Sequence, residues 1–277
     1  MKTKVVIVSP SLGAYGGIEA FVLAVADAVR RESDMEVRIC IKRVPGFALQ
    51  PSLKTMLQGE NVIYTDPGAD RDLIETIRWS DVVHLQNATA DVAFFAKLFR
   101  KPLAITIHNH MMRELTPHHL LCRFVAAMAD ERWYNSQFVW DTWEPRRKRS
   151  GSRKVPTVSK LPDGWTPPGE RRGFVFLGRW IANNGVDTLV DAYAVAKLDR
   201  EEWPLVLMGD GPLRKLIEYA IARREIGGIQ VLGFVDEPRK AEQIKNSRWM
   251  VIPSNTNQGF GLTAVEARHL GVPCIIT

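Results

Sequence analysis

The residues best placed to do chemistry lie late in the sequence, where Gln258-Gly259-Phe260-Gly261-Leu262 runs into a helical pattern carrying Glu266. A glycine-rich loop that feeds a helix start points free backbone N–H groups at one spot, and such a spot suits a phosphate. Glu266 stands one turn inside, with Leu262 and Leu270 four residues to either side, so its carboxylate shares an apolar face. A charge there is costly without a partner, and a hydroxyl of a nucleotide-sugar would serve. Arg179 follows an apolar run at its carboxyl end, where a planar guanidinium would fork onto phosphate oxygens. Gly16 and Gly17 precede another helical pattern, and a glycine pair lets the backbone approach a ligand closely. Each feature also has an ordinary structural reading: a strand–helix turn, a buried ion pair, a surface salt bridge, a tight turn.

The elements that must position these residues follow from periodicity. Short apolar runs at 5–9, 36–41, 61–64, 82–85, 103–107 and 132–135 read as strands. Helical patterns fall between them at 17–31, 70–79, 88–100, 117–129 and 137–143. The alternation is that of a parallel sheet with helices on both faces. A second series begins near 174, with strands at 174–177, 205–208, 229–232, 250–252 and 274–277 and helices at 187–197, 213–223 and 238–245 between them. Between the series, 146–172 is rich in Arg, Lys, Gly, Ser and Pro and reads as a linker. The fold class is therefore α/β, with two Rossmann-like domains at 1–166 and 167–277 and a site expected in the cleft between them. The second domain stops on a strand, so its last C-terminal elements are expected to be missing.

The bulk numbers narrow the classes. At 277 residues with 45% hydrophobic and 25% charged residues, the chain can build its own cores. Cys40, Cys122 and Cys274 fall in apolar runs without metal-ligand spacing, which indicates buried thiols in a reducing compartment. No run is long enough to span a bilayer, so the expected location is cytoplasmic, with the inner membrane face as a docking place. Net charge is +6, and six basic residues crowd into 146–154. Trp140 and Trp143 precede them, so Trp140, Trp143, Arg146, Arg147, Lys148 and Arg149 form a candidate contact with an anionic membrane. No nucleic-acid-binding motif is present. His110, His118 and His119 lack a carboxylate to complete a metal site, so no metal is expected. Asp70-Arg71-Asp72 opens a helix, where the first Asp reads as an N-cap.

In this order the motifs resemble the retaining GT-B glycosyltransferases of the glycogen-synthase-like group 1 type, family 4. Residues 11–19 resemble the N-terminal glycine loop, and Asp81-Val-Val-His84, Thr106-Ile-His108-Asn109 and Asn135-Ser136 resemble strand ends of the first domain. Phe176-Leu-Gly178-Arg179 with Asn184-Gly185, then Leu207-Met-Gly209-Asp210-Gly211-Pro212, resemble the "GR…KG" and "GDGP" stretches. The segment 258–266 resembles the paired-acid signature. Two positions depart from the pattern: Gln258 stands where the first Glu is usual, and Asn184 where the Lys is usual.

The resemblance implies a metal-independent transfer of a sugar, with retention, from a UDP- or GDP-sugar to a glycan or lipid-linked hydroxyl in cell-envelope synthesis. No cofactor is implied beyond that donor. It further implies that Arg179 clamps the diphosphate, Glu266 binds the ribose, and Gln258 and His108 hydrogen-bond sugar hydroxyls. Gly16, Gly17, Asn184, Gly259, Phe260, Gly261 and Leu262 would line the donor, with Phe234 at the base. The departures leave open a catalytically weak or inactive nucleotide-sugar-binding partner subunit. A Rossmann epimerase or dehydrogenase is a further alternative, opposed by the missing GxGxxG and Tyr-x-x-x-Lys patterns.

Overall fold

The computed structural model describes residues 2–112, 116–158, 170–255 and 260–277. Gln258, Gly259 and the centre of the expected linker, 159–169, lie outside the described residues. The chain divides into two compact units, Met1–Lys160 and Leu161–Thr277.

The first unit runs β1 (Lys4–Ser11), α1 (Gly17–Glu32), β2 (Glu36–Arg43), α2 (Pro51–Met56), β3 (Val62–Thr65), α3 (Arg71–Trp79), β4 (Val82–Gln86), α4 (Ala90–Leu98), β5 (Leu103–Ile107), α5 (Pro117–Met128), β6 (Glu131–Tyr134), α6 (Gln137–Trp143) and β7 (Ser152–Lys154). Its strands form one parallel sheet in the order β3-β2-β1-β4-β5-β6-β7. Strands covered on both faces need apolar side chains in both directions, which is why β1 reads as an unbroken run. Val5 and Ile7 enter the layer under α1 and α2, and Val6 and Val8 enter the layer under α3 to α6. The order reverses between β1 and β4, so the switch point, where ligands of such sheets bind, lies beyond their carboxyl ends.

The second unit runs β8 (Arg172–Leu177), α7 (Val186–Val195), β9 (Leu205–Met208), α8 (Arg214–Arg223), β10 (Ile229–Gly233), α9 (Glu237–Asn246), β11 (Ser247–Ile252), α10 (Leu262–His269) and β12 (Cys274–Ile276). Its sheet is also parallel, in the order β10-β9-β8-β11-β12, with its switch point between β8 and β11. Phe176, Leu205 and Leu207 pack under α7 and α8, while Val175, Met208 and Met250 pack under α9 and α10.

Three local expectations change. The segment 146–172 is not all linker, because Ser152–Lys154 pairs with β6 as an edge strand. Pro51 opens α2, a helix absent from the periodicity reading. Cys40 is fully buried and burial pushes its thiol up to about 12, but Cys122 and Cys274 are only partly buried. Asp70 does cap α3, accepting from the Asp72 and Leu73 N–H groups. No helix among the described residues is long and apolar enough to cross a membrane.

Candidate functional site

At the switch point of the first unit the strand ends carry a buried polar network. His84 and Gln86 are two residues apart on β4 and therefore point to the same face. Thr106 ends β5, and His108 follows it. His84 Nε2 lies 2.8 Å from Thr106 Oγ1 and 3.1 Å from Gln86 Nε2, and Gln86 Oε1 lies 2.9 Å from His108 Nε2. An amide nitrogen only donates and an amide oxygen only accepts, so this arrangement assigns the protons. His84 Nε2 accepts, Thr106 O–H donates to it, and His108 donates from Nε2. His84 is then neutral, and burial keeps the His108 ring neutral too, so that its Nδ1 is left as an acceptor. The His108 backbone is clamped as well: its N–H donates to Asn87 Oδ1 at 3.0 Å and its carbonyl accepts from Asn135 Nδ2 at 3.0 Å. Phe21 of α1 packs edge-on against the imidazole at 5.2 Å.

Burial holds His84 down to about 4, and burial with the neighbouring His84 holds His108 down to about 3. In the unfolded chain both titrate near 6.5. As pH falls from 6.5, the unfolded state takes up two protons that the folded state refuses, so stability falls. Between pH 6.5 and 5 the expected loss is about 2 kcal/mol per histidine. Denaturant midpoints at pH 7 and pH 5 measure it, and His108→Gln should remove about half of the difference.

The glycine loop after β1 is closed from inside. Gly16 is the N-cap of α1 with extended backbone, and Gly17 is its first residue. A Cβ at Gly16 would stand 3.5 Å from Glu19 Oε2, and Glu19 Oε1 accepts from Ser11 Oγ at 3.1 Å. A buried carboxylate thus already complements the start of α1. That acid competes with the phosphate expected near Gly16 and Gly17.

In the second unit the strand-end loops are joined main chain to main chain. Trp180 N–H donates to the Asp210 carbonyl at 2.9 Å, and Leu213 N–H donates to the Trp180 carbonyl at 3.0 Å. Gly209 N–H donates to Gly233 at 2.7 Å, and Asn255 N–H donates to Asn183 at 3.1 Å. Glycine is required where these backbones meet. A Cβ on Gly209 (φ +111) would fall 1.9 Å from the Gly178 carbonyl oxygen, and one on Gly185 (φ +68) 1.7 Å from that of Pro253.

On this frame Arg179, just past β8, is exposed, and its guanidinium has no partner among the described residues. Asn184 turns its amide inward and donates to the Arg179 carbonyl at 2.8 Å. Position 184 therefore sets the arginine's backbone rather than presenting a charge. Gly261, at φ +76, opens α10 and has no side chain to cap it, leaving the first N–H groups for another acceptor. Phe260 and Leu262 beside it are partly buried, and Phe234, just past β10, is exposed.

Glu266 is buried and ion-paired: Lys240 of α9 reaches Glu266 Oε1 at 2.9 Å and Glu237 Oε2 at 2.6 Å. The ion pair that is the ordinary structural reading of Glu266 is thus present, with Lys240 as the base. Burial works against the Lys240 charge, yet Glu266 and Glu237 outweigh it and raise its pKa. Lys240 and Gln86 are the two site residues that sequence reasoning missed. Gln86 had a signal, since it shares a strand face with His84. Among the described residues no group of three His, Cys, Asp or Glu forms a metal site.

Residues 159–277 match the family model for Glycosyl transferases group 1. The second unit therefore carries a group 1 domain, and the sites at Arg179, Gly261 and Glu266 lie within it. The chain is 26% identical over 214 residues to the D-rhamnosyltransferase WbpZ of Pseudomonas aeruginosa, covering 71% of this chain and 55% of that protein. It is 23% identical over 288 residues to the phosphatidyl-myo-inositol mannosyltransferase of Mycobacterium leprae, covering 94% and 74%. Among solved structures, Anabaena HepE in complex with UDP and glucose superposes with a TM-score of 0.73 at 18% identity, covering 99% of this chain and 80% of that one. The likeness extends beyond the group 1 domain to both Rossmann-like units, and the fold is of the GT-B type.

The basic tract behaves differently from its sequence reading. Trp140 stacks on Tyr134 and donates its indole N–H to Glu144 at 2.9 Å, and Trp143 donates to the Asn109 carbonyl at 2.8 Å. Both rings are partly buried against the core of the first unit, Lys148 lies over the Trp140 ring at 4.9 Å, and Arg146, Arg147, Lys148 and Arg149 are exposed. An i, i+3 spacing on α6 turns both rings toward the sheet.

Proposed function

We propose that this chain transfers a sugar, with retention and without a metal ion, from a nucleotide-diphosphate sugar to a hydroxyl of a glycan or lipid-linked acceptor. The observation that carries the reading is the switch point of the group 1 domain. There an exposed Arg179, its guanidinium without a partner among the described residues, follows β8 on a frame of glycines, and α10 after the neighbouring strand β11 opens on Gly261 with no side-chain cap among those residues. A guanidinium and open N–H groups are the donors a diphosphate needs.

In the reaction the acceptor O–H attacks the anomeric carbon on the face from which the diphosphate departs. The bond from that carbon to the phosphate oxygen breaks, the acceptor's proton passes to the phosphate, and Arg179 stabilises the charge gathering there. Glu266, with one oxygen held by Lys240, offers the other to the ribose hydroxyls. His108 Nδ1 accepts from a sugar hydroxyl. The mannosyl and rhamnosyl transfer named for the two relatives, and the UDP and glucose named for HepE, support this class of donor, and the phosphatidyl-myo-inositol in the mannosyltransferase's name supports a lipid-linked acceptor.

The test is a thermal-shift titration of the chain against UDP, GDP, ADP and CMP. A ligand that binds only the folded state raises the melting point by mass action. The expected result is a selective rise with UDP or GDP, followed by turnover of the matching sugar donor. No shift with any nucleotide would reject the reading.

A further inference from the structure

We propose that the outer faces of α4 and α5 form a ridge that seats the protein on an anionic lipid surface. A helix on a sheet normally keeps one apolar stripe for the core and turns polar residues to water. α5 does not. Val125, Ala126 and Ala129 meet the core, yet Leu120, Leu121 and Phe124 on the opposite side are 54%, 47% and 64% exposed. Their spacing is that of a second apolar stripe. α4 lies against α5 on the same core layer and adds Phe94 and Leu98, 56% and 57% exposed at an i, i+4 spacing. Five large apolar side chains on adjoining helices form an apolar patch of the kind that marks an interaction surface.

Charge decides what the ridge meets. α5 contains no Asp or Glu. Among the described residues, the acid that opens α4 and the acid that follows α5 are both paired, Asp91 with Lys42 at 2.8 Å and Asp130 with Lys97 at 2.8 Å. One end of the ridge borders a depression lined by Lys97, Arg100, Lys101, Pro102 and Asp130. Arg100 is exposed and has no partner among the described residues. A second copy docking face to face would oppose these cations to their like. Anionic headgroups would neutralise them while the acyl boundary takes the apolar stripe. This assignment moves the apolar part of the membrane contact from Trp140 and Trp143 to the two helices, and it does not depend on the transfer reaction.

The experiment is flotation of the full chain with vesicles of equal parts phosphatidylglycerol and phosphatidylcholine, and with phosphatidylcholine alone. The wild type is expected to float with the anionic vesicles and to be released by salt. Leu121→Glu with Phe124→Glu should weaken partitioning at least about tenfold, and Arg100→Glu should weaken it by a smaller factor. Melting curves establish that the variants fold. Should the double variant fail to fold, Arg100→Glu and Leu98→Gln decide the matter. Wild type that stays with the solvent, or folded variants that float like wild type, would overturn the proposal. So would a wild-type dimer in light scattering that the double variant splits, since the ridge would then be a self-association face.

Discussion

Arg179→Ala is expected to lower kcat for sugar transfer by about 10²–10³-fold while leaving the melting point nearly unchanged. The first half follows from charge. Removing one preorganised donor aimed at developing negative charge costs about that much in rate, and the Arg179 task is not shared with Asn184, whose amide is committed to a backbone carbonyl. The second half follows from exposure: the guanidinium makes no hydrogen bond or ion pair among the described residues for the truncation to break. Arg179→Lys should recover only part of the rate, because an ammonium restores charge without the fork. Steady-state kinetics on the three proteins measure this, and wild-type rates for Arg179→Ala would remove the residue from the mechanism.

Lys240→Leu should act on both stability and recognition. It strips the cation from between two carboxylates, Glu237 and Glu266, of which Glu266 is buried. Breaking a buried pair from one side costs about 3–5 kcal/mol, a fall in melting temperature on the order of 10 °C. Adding Glu266→Gln should return part of that loss, because the orphaned charge is removed with it. Recognition separates a positioning role from a structural one. If Lys240 holds Glu266 toward the ribose, wild type should prefer UDP or GDP to the 2′-deoxy analogue, and Lys240→Leu should lose that preference while still binding diphosphate. An unchanged ribo-to-deoxyribo ratio of binding constants would confine Lys240 to holding the fold.

Much of this architecture was legible because parallel strands must be apolar on both sides. Val5-Val6-Ile7-Val8 admits little else, and each such run recurs with a helix behind it. The positions of Arg179 and Gly261 were legible because the first falls where a strand yields to a loop and the second where a loop yields to a helix. What escaped depends on geometry across the chain. Lys240 meets Glu266 across 26 residues, and only the packed registers of α9 and α10 make the pair. β7 is three polar residues, held as a strand by its backbone bonds to β6 and not by any pattern of its own. The packing of Trp140 and Trp143 was not legible because a tryptophan beside basic residues looks the same in sequence whether its ring faces lipid or a sheet.

The loops of the group 1 domain have one property that bears on how such a protein could diversify. They are tied mainly by backbone carbonyls and N–H groups, and by glycines that bring backbone against backbone, at 178–185, 209–213, 233 and 253–255, with Asn184, Asn255 and Trp180 the side chains that join in. Main-chain ties are indifferent to the identity of the remaining side chains. A side chain such as Phe260, which takes no part in these ties, could therefore be exchanged while the loop frame stays in place. The glycines are the constrained letters of that script, and a position such as Phe260 is left open to revision.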